Sequence, residues 1–253
     1  MTLFLNGGGC ATQVRESYRL FEEVIDTNKP LLYVPLAMEL TRYADCFNWI
    51  TQELYDLHFP QIEMVTSPQE LGIKNLNNYA AVFIGGGNTY KLLKELKACA
   101  AYQKIQDFLA SDGVVFGGSA GAIIFGKSID SCRHDDPNTV NLQDLTGFNQ
   151  VFGAYIGAHY PSDKPEKEQK ATQTFTELSF DSPVIALPEE DTLVLYQDGV
   201  RIVGSKDFYI FKEGQKYAYK PRGYSVAAFK KELKQPQQLK TLNIKSTPSK
   251  EMD

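Results

Sequence analysis

Three kinds of side chain in this sequence could cooperate in acyl transfer: a serine hydroxyl at a glycine-lined corner, a histidine and a carboxylate. Ser119 lies in Gly117-x-Ser119-x-Gly121, after the apolar run Val114-Val115-Phe116 and before Ala120-Gly121-Ala122-Ile123-Ile124. That order predicts a strand, a sharp turn and a helix, whose glycines let the turn lift the hydroxyl above a sheet edge. The amide of Ala120 would stand at the helix start, aimed where negative charge gathers in an acyl-transfer transition state. The same residues also suit a plain tight turn, so the motif needs partners elsewhere in the chain.

A serine hydroxyl is a weak nucleophile until a base takes its proton, and histidine titrates in the useful range. The chain has three histidines. His58 ends a helical pattern beside Phe59-Pro60 and reads as a polar cap. His134 sits in the polar stretch from Ser131 to Asn138, which has the form of a solvated loop over the site. His159 follows the apolar pair Tyr155-Ile156 at the end of a predicted strand, which makes it the better placed base, with His134 the alternative. A carboxylate should then fix the imidazole tautomer. Leu187-Pro188-Glu189-Glu190-Asp191 closes another apolar strand, and all three acids are candidates, although acids on a turn also serve simply as solvated surface. The order serine, histidine, acid departs from an ordinary α/β-hydrolase, which carries its histidine last. An esterase of that type would need a histidine near the C-terminus, and none follows position 159.

Hydrophobic periodicity supplies the elements that must hold these groups. Leu3-Phe4-Leu5 breaks at Asn6 and three glycines, and Val14, Tyr18, Phe21 and Ile25 then recur at helical spacing. Leu31 to Val34 is a second strand, followed by a helix marked by Phe47, Ile50, Leu54 and Leu57; Ile62 to Val65 is a third. Ser67-Pro68-Gln69-Glu70 is a capping box that opens a short helix. Ala80 to Ile84 is uniformly apolar, as a strand covered on both faces is, and it runs into Gly85-Gly86-Gly87-Asn88 and two further helical patterns. Strands alternating with helices predict a mostly parallel sheet with helices on both faces, a three-layer α/β fold. Ligands in such sheets bind beyond the carboxyl ends of the strands, where the loop at Gly87 and the turn at Ser119 should meet. Gly87 could then supply a second oxyanion amide, with Asn88 near for substrate amides, or the glycines could simply let two loops pass closely. Pro183 to Leu187, Thr192 to Leu195 and Arg201 to Val203, separated by turns such as Gln197-Asp198-Gly199, predict β-hairpin additions at the C-terminal sheet edge. Residues 1–229 read as a single domain and 230–253 as a lysine-rich, proline-interrupted polar tail.

Composition narrows the function classes. With 43% hydrophobic and 23% charged residues, 253 residues can bury a sizeable core. A net charge of -5 gives no basic field for phosphate backbones, so a small substrate is expected and nucleic acid is not. Cys10, Cys46, Cys99 and Cys132 lack metal-ligand spacing, and Cys46 and Cys99 read as core thiols. Met1 to Asn6 lacks a basic n-region, and no apolar run approaches a membrane span. The expectation is a cytoplasmic protein, with no membrane partner, acting as a monomer or homodimer.

Ile84-Gly85-Gly86-Gly87-Asn88-Thr89, Gly118-Ser119-Ala120-Gly121-Ala122, Ala158-His159-Tyr160 and Ala186-Leu187-Pro188-Glu189 together resemble the dipeptidase E and cyanophycinase family of serine peptidases, over roughly residues 1–215. The resemblance implies a flavodoxin-like fold related to class I glutamine amidotransferases, with no metal or cofactor. It implies Ser119 as nucleophile, His159 as general base, Glu189 as the acid, and the amides of Gly87 and Ala120 as the oxyanion hole. It also implies hydrolysis of small peptides, Asp-X dipeptides among them. Dipeptidase E holds the aspartyl side chain with an arginine downstream of its histidine; here that stretch carries Lys164, Lys167 and Lys170 instead. With Lys167 and Lys170 in that role, acidic preference should be weakened or broadened, because an ammonium lacks the bidentate fork of a guanidinium. The alternative is a non-catalytic member of the same fold that binds a small ligand or partner.

Overall fold

The computed structural model describes residues 1–234. Strands β1 (Thr2–Asn6), β2 (Leu31–Val34), β3 (Ile62–Met64), β4 (Ala81–Ile84) and β5 (Val114–Gly118) run parallel in the spatial order β1-β5-β4-β2-β3. Helices α1 (Arg15–Glu23), α2 (Tyr43–Glu53), α3 (Pro68–Ile73), α4 (Thr89–Lys97) and α5 (Ala101–Ala110) connect them. Because side chains alternate along a strand, these apolar strands carry two buried faces. Phe4, Leu31, Tyr33, Phe83 and Phe116 pack against Tyr18 and Phe21 of α1 and Ile50 of α2. Leu3, Leu5, Leu32, Val82, Ile84 and Val115 face the other way, toward Leu71 of α3, Leu93 and Leu96 of α4 and Ile105 of α5.

The remainder comprises α6 (Ala120–Ile123), β6 (Tyr155–Gly157), α7 (Pro165–Leu178), β7 (Val184–Ala186), β8 (Thr192–Leu195), β9 (Gly199–Val203), β10 (Phe208–Lys212), β11 (Gln215–Tyr219), β12 (Gly223–Ser225) and α8 (Val226–Lys234). β8 adds antiparallel to the free side of β1, and β9 and β12 continue the sheet to eight strands. β7 does not join this sheet. It pairs parallel with β6 and antiparallel with β10, in a second sheet ordered β11-β10-β7-β6. Both faces of β7 need cover, which explains its place: Ile185 joins the main core, while Val184 and Ala186 pack with Phe175 and Leu178 of α7. α8 crosses the boundary expected at 229, since Phe229 and Leu233, one turn apart, are both buried. Residues 230–234 are therefore helix, and the rest of the expected tail lies outside the described residues. Among the described residues no helix is long and apolar enough to cross a membrane.

Candidate active site

Ser119 occupies the corner between β5 and α6 with φ 52° and ψ −114°. A left-handed φ on a residue with a side chain costs on the order of 1–3 kcal/mol and persists only where its surroundings over-determine it. Here the N–H of Ser119 donates to Asn6 O at 3.1 Å, and its carbonyl accepts from Ala122 and Ile123 at 2.8 and 3.0 Å. The flanking glycines are needed for close approach. A Cβ on Gly117 would lie 2.2 Å from the carbonyl oxygen of Gly121, and one on Gly121 would lie 2.2 Å from that of Ile84. Both obstacles are backbone, so Gly121→Ala should destabilise the fold by about 3 kcal/mol. A urea midpoint equal to that of the wild type would discount this account of the motif.

His159 follows β6 with φ 55°, and its N–H donates to Gly7 O at 2.9 Å. Its ring lies against Gly8, where a Cβ would come within 2.1 Å of Cε1. Nε2 stands 2.8 Å from Ser119 Oγ, and Nδ1 stands 2.9 Å from Glu189 Oε1. Glu189 comes from the loop after β7; Gln13 Nε2 donates to its Oε2 at 3.4 Å, and its backbone carbonyl accepts the N–H of Gly9 at 3.0 Å. With a carboxylate as partner, Nδ1 is the donor, which leaves the Nε2 lone pair facing the hydroxyl. This arrangement can draw a proton from Ser119 and stabilise the imidazolium that results. The glycine loop reaches the same point, for a Cβ on Gly86 would lie 3.2 Å from Ser119 Cβ.

Residues 3–203 match the model of Peptidase family S51, four fifths of the chain and all of the Ser119, His159 and Glu189 segments. The chain belongs to peptidase family S51. It is a serine-type peptidase. Curated relatives named Peptidase E include one from Nostoc sp., 26% identical over 200 residues, covering 76% of this chain and 80% of the relative. Another, from Shewanella denitrificans, is 26% identical over 82% of this chain and 92% of the relative. The fold matches the crystal structure of a peptidase from an acI-B1 actinobacterium with a TM-score of 0.69 at 19% identity, covering 88% of this chain and 96% of the other. A solved Listeria monocytogenes protein matches with a TM-score of 0.65 at 23% identity, over 81% of this chain and 98% of the other.

In this S51 peptidase a cleft of about 540 Å³ opens over Ser119, His159 and Glu189, with Gly87, Lys164 and Lys167 in its walls. Ala120 is buried at the foot of the turn. Asn88, expected to meet substrate amides, has both ends of its side chain engaged by the protein. Its Oδ1 accepts the N–H of Lys91 at 2.9 Å as the N-cap of α4, and its Nδ2 donates to Pro137 O at 2.8 Å. Lys170 is exposed on α7 and, unlike Lys167 and Ala171, is not among the residues lining the cleft. Lys167 does reach the cleft, but its ammonium donates to Asp135 Oδ1 at 2.7 Å, and this contact holds the Asp135 carboxyl below its usual range. His134 is not a freely solvated loop residue. Its ring packs edge-on to Phe175, and burial pulls its basicity down. Lys164, the first lysine of the stretch that stands in for the arginine, lines the cleft, and Gln13 and Asp135 are cleft residues that sequence reasoning did not single out. Among the described residues no group of three or more His, Cys, Asp or Glu could hold a metal ion.

Of the three neighbouring acids, only Glu189 meets the imidazole. Glu190 lines the cleft, and Asp191 turns inward, fully buried, where its Oδ1 accepts the N–H of Lys206 at 3.2 Å. Burial pushes the Asp191 carboxyl up to about 7. The folded protein therefore holds a proton there that the unfolded chain releases near pH 4, so this group's contribution to stability falls as pH rises from about 4 to about 7. Asp191→Asn should flatten that part of the curve and raise the melting temperature above that of the wild type at pH 8. Parallel curves for the two proteins between pH 5 and 8 would refute it.

Proposed function

We propose that this S51 peptidase hydrolyses small peptides, dipeptides among them, by a Ser119–His159–Glu189 triad. His159 takes the proton from Ser119 as Oγ attacks the scissile carbonyl, and the amides of Gly87 and Ala120 receive the oxyanion. The imidazolium then protonates the leaving amine, and water, activated by the same ring, releases the acyl group from Ser119. Glu189 orients the ring throughout. One observation carries the reading: an unbroken chain of contacts, 2.8 Å from Oγ to Nε2 and 2.9 Å from Nδ1 to Oε1, open to a cleft at the carboxyl edge of the parallel sheet.

For substrate choice we infer an acidic first residue read by Lys164 and Lys167. A lysine gives charge without a fork, and Lys167 already serves Asp135, so the preference for Asp-X should be broad. The relation to class I glutamine amidotransferases and flavodoxin-like folds is part of the same proposal. Counted from β2, the parallel strands follow the 2-1-3-4-5 order of that sheet type, with β1 in the last place. Its cysteines are all free, which supports a reducing, cytoplasmic setting.

Incubation with a fluorophosphonate should add one adduct, mapped by mass spectrometry to Ser119, and a library of Asp-X and other X-Y dipeptides should show turnover. Melting shifts with dipeptides but no adduct and no turnover would favour a binder over an enzyme. Lys167→Ala should lower kcat/KM for Asp-X by about tenfold and leave neutral dipeptides within about twofold. A sharp preference for apolar first residues in the wild type would rule out the acidic reading.

A further inference from the structure

Asn6 is a polar residue closing an apolar strand, and it is only 2% exposed. An amide buried that deeply is tolerated when its donors and acceptor are used. Oδ1 accepts the N–H of Gly8 at 2.8 Å, while Nδ2 donates to Thr192 Oγ1 at 3.0 Å, Asp191 O at 3.2 Å and Glu189 O at 3.3 Å. The partners fix which end of the amide is which, since one side presents a backbone N–H and the other two backbone carbonyls.

These contacts lead to every arm of the site. The Asn6 carbonyl accepts the N–H of Ser119, and Asn6 stands in register between Gly118 on β5 and Thr192 on β8. Gly8, held by Oδ1, forms the surface against which the imidazole of His159 lies, and Gly7 accepts the His159 N–H. Nδ2 holds the backbone of the loop that carries Glu189. We infer that Asn6 is a positioning residue that sets the spacing of nucleophile, base and acid from beneath, an inference that rests on the triad proposed above.

Asn6→Asp keeps the shape but turns an oxygen toward two carbonyls, and Asn6→Ala removes both ends of the amide. Thr192→Val is the control, since it deletes one partner and leaves the loop carbonyls held. Both Asn6 variants should lose about 10²-fold in kcat, because misplacement of reacting groups by about 1 Å costs that much. KM should change by less than about threefold, as for a group that acts only in the chemical step. Thr192→Val should stay within about threefold of the wild type. The decisive readout is the Glu189→Gln background, in which Asn6→Ala should add less than about tenfold, since one of the three arms that Asn6 positions is already disabled there. Losses that multiply, a fully active Asn6→Asp, or failure of both variants to fold would each overturn the inference. Fluorophosphonate labelling separates the levels. A wild type that takes no label ends the serine mechanism and this inference with it, whereas equal labelling rates for wild type and Asn6→Asp end the inference alone.

Discussion

Ser119→Ala is expected to lower kcat/KM for dipeptide hydrolysis by about 10⁶-fold, as removal of a nucleophile does in enzymes that use one serine through one histidine. The loss should fall on chemistry and leave the fold intact. Alanine bears the left-handed φ of 52° at a cost similar to that of serine, and the hydrogen bonds that hold the corner come from backbone atoms. Circular dichroism and the melting temperature should therefore stay close to the wild type while turnover disappears. The variant keeps the Gly87 and Ala120 amides proposed to receive the oxyanion, so some rate above the uncatalysed reaction should survive from those contacts and from binding. An alanine variant that keeps more than about a tenth of wild-type kcat/KM would place the nucleophile elsewhere and dismantle the proposed mechanism.

The parts of this site that could be read from the sequence are those with local causes. The turn at Ser119 is one, because its glycines are demanded by backbone atoms within the motif and the adjoining strand. The start of α3 at Pro68 is another, where Ser67 Oγ accepts the N–H of Glu70 as the capping box requires. Asn88 carried a local signal too. An asparagine directly before a helix is a good N-cap, and the structure spends its side chain there rather than on substrate.

Parts decided by distant chain stayed hidden. The second sheet depends on pairings between strands of three to five residues, β6, β7, β10 and β11, whose partners are settled by which face finds cover. The surroundings of His134 depend on Phe175 from α7, 41 positions later. Asn6 looked like a turn residue because the partners of its Nδ2 lie about 185 positions away, on the loop between β7 and β8 and at the first residue of β8. The choice among Glu189, Glu190 and Asp191 turned on the same loop. Gly9 and Gly7 donate to the carbonyls of Glu189 and Asp191, and that pairing fixes the loop backbone on the loop after β1, with Glu189 toward the ring and Asp191 toward the interior.

That choice yields the second large effect. Glu189→Gln should lower kcat by about 10⁴-fold with KM nearly unchanged, the size of loss seen when a triad acid becomes an amide. The reason lies in the tautomer. Glutamine can present its NH₂ group to Nδ1, which then accepts, so the ring proton moves to Nε2 and points at Ser119 Oγ. A ring in that state has no lone pair for the serine proton. Because the side chains of His159 and Glu189 are 42% and 46% exposed, water can in part replace the lost acceptor, and a fall nearer 10³-fold would still fit. Glu190→Gln and Asp191→Asn supply the comparison, since neither acid touches the imidazole: both should keep kcat within about threefold of the wild type. Kinetics on the three variants side by side decide the matter. If Glu190→Gln loses more than Glu189→Gln, the loop rearranges in the working enzyme and the acid has been assigned to the wrong residue.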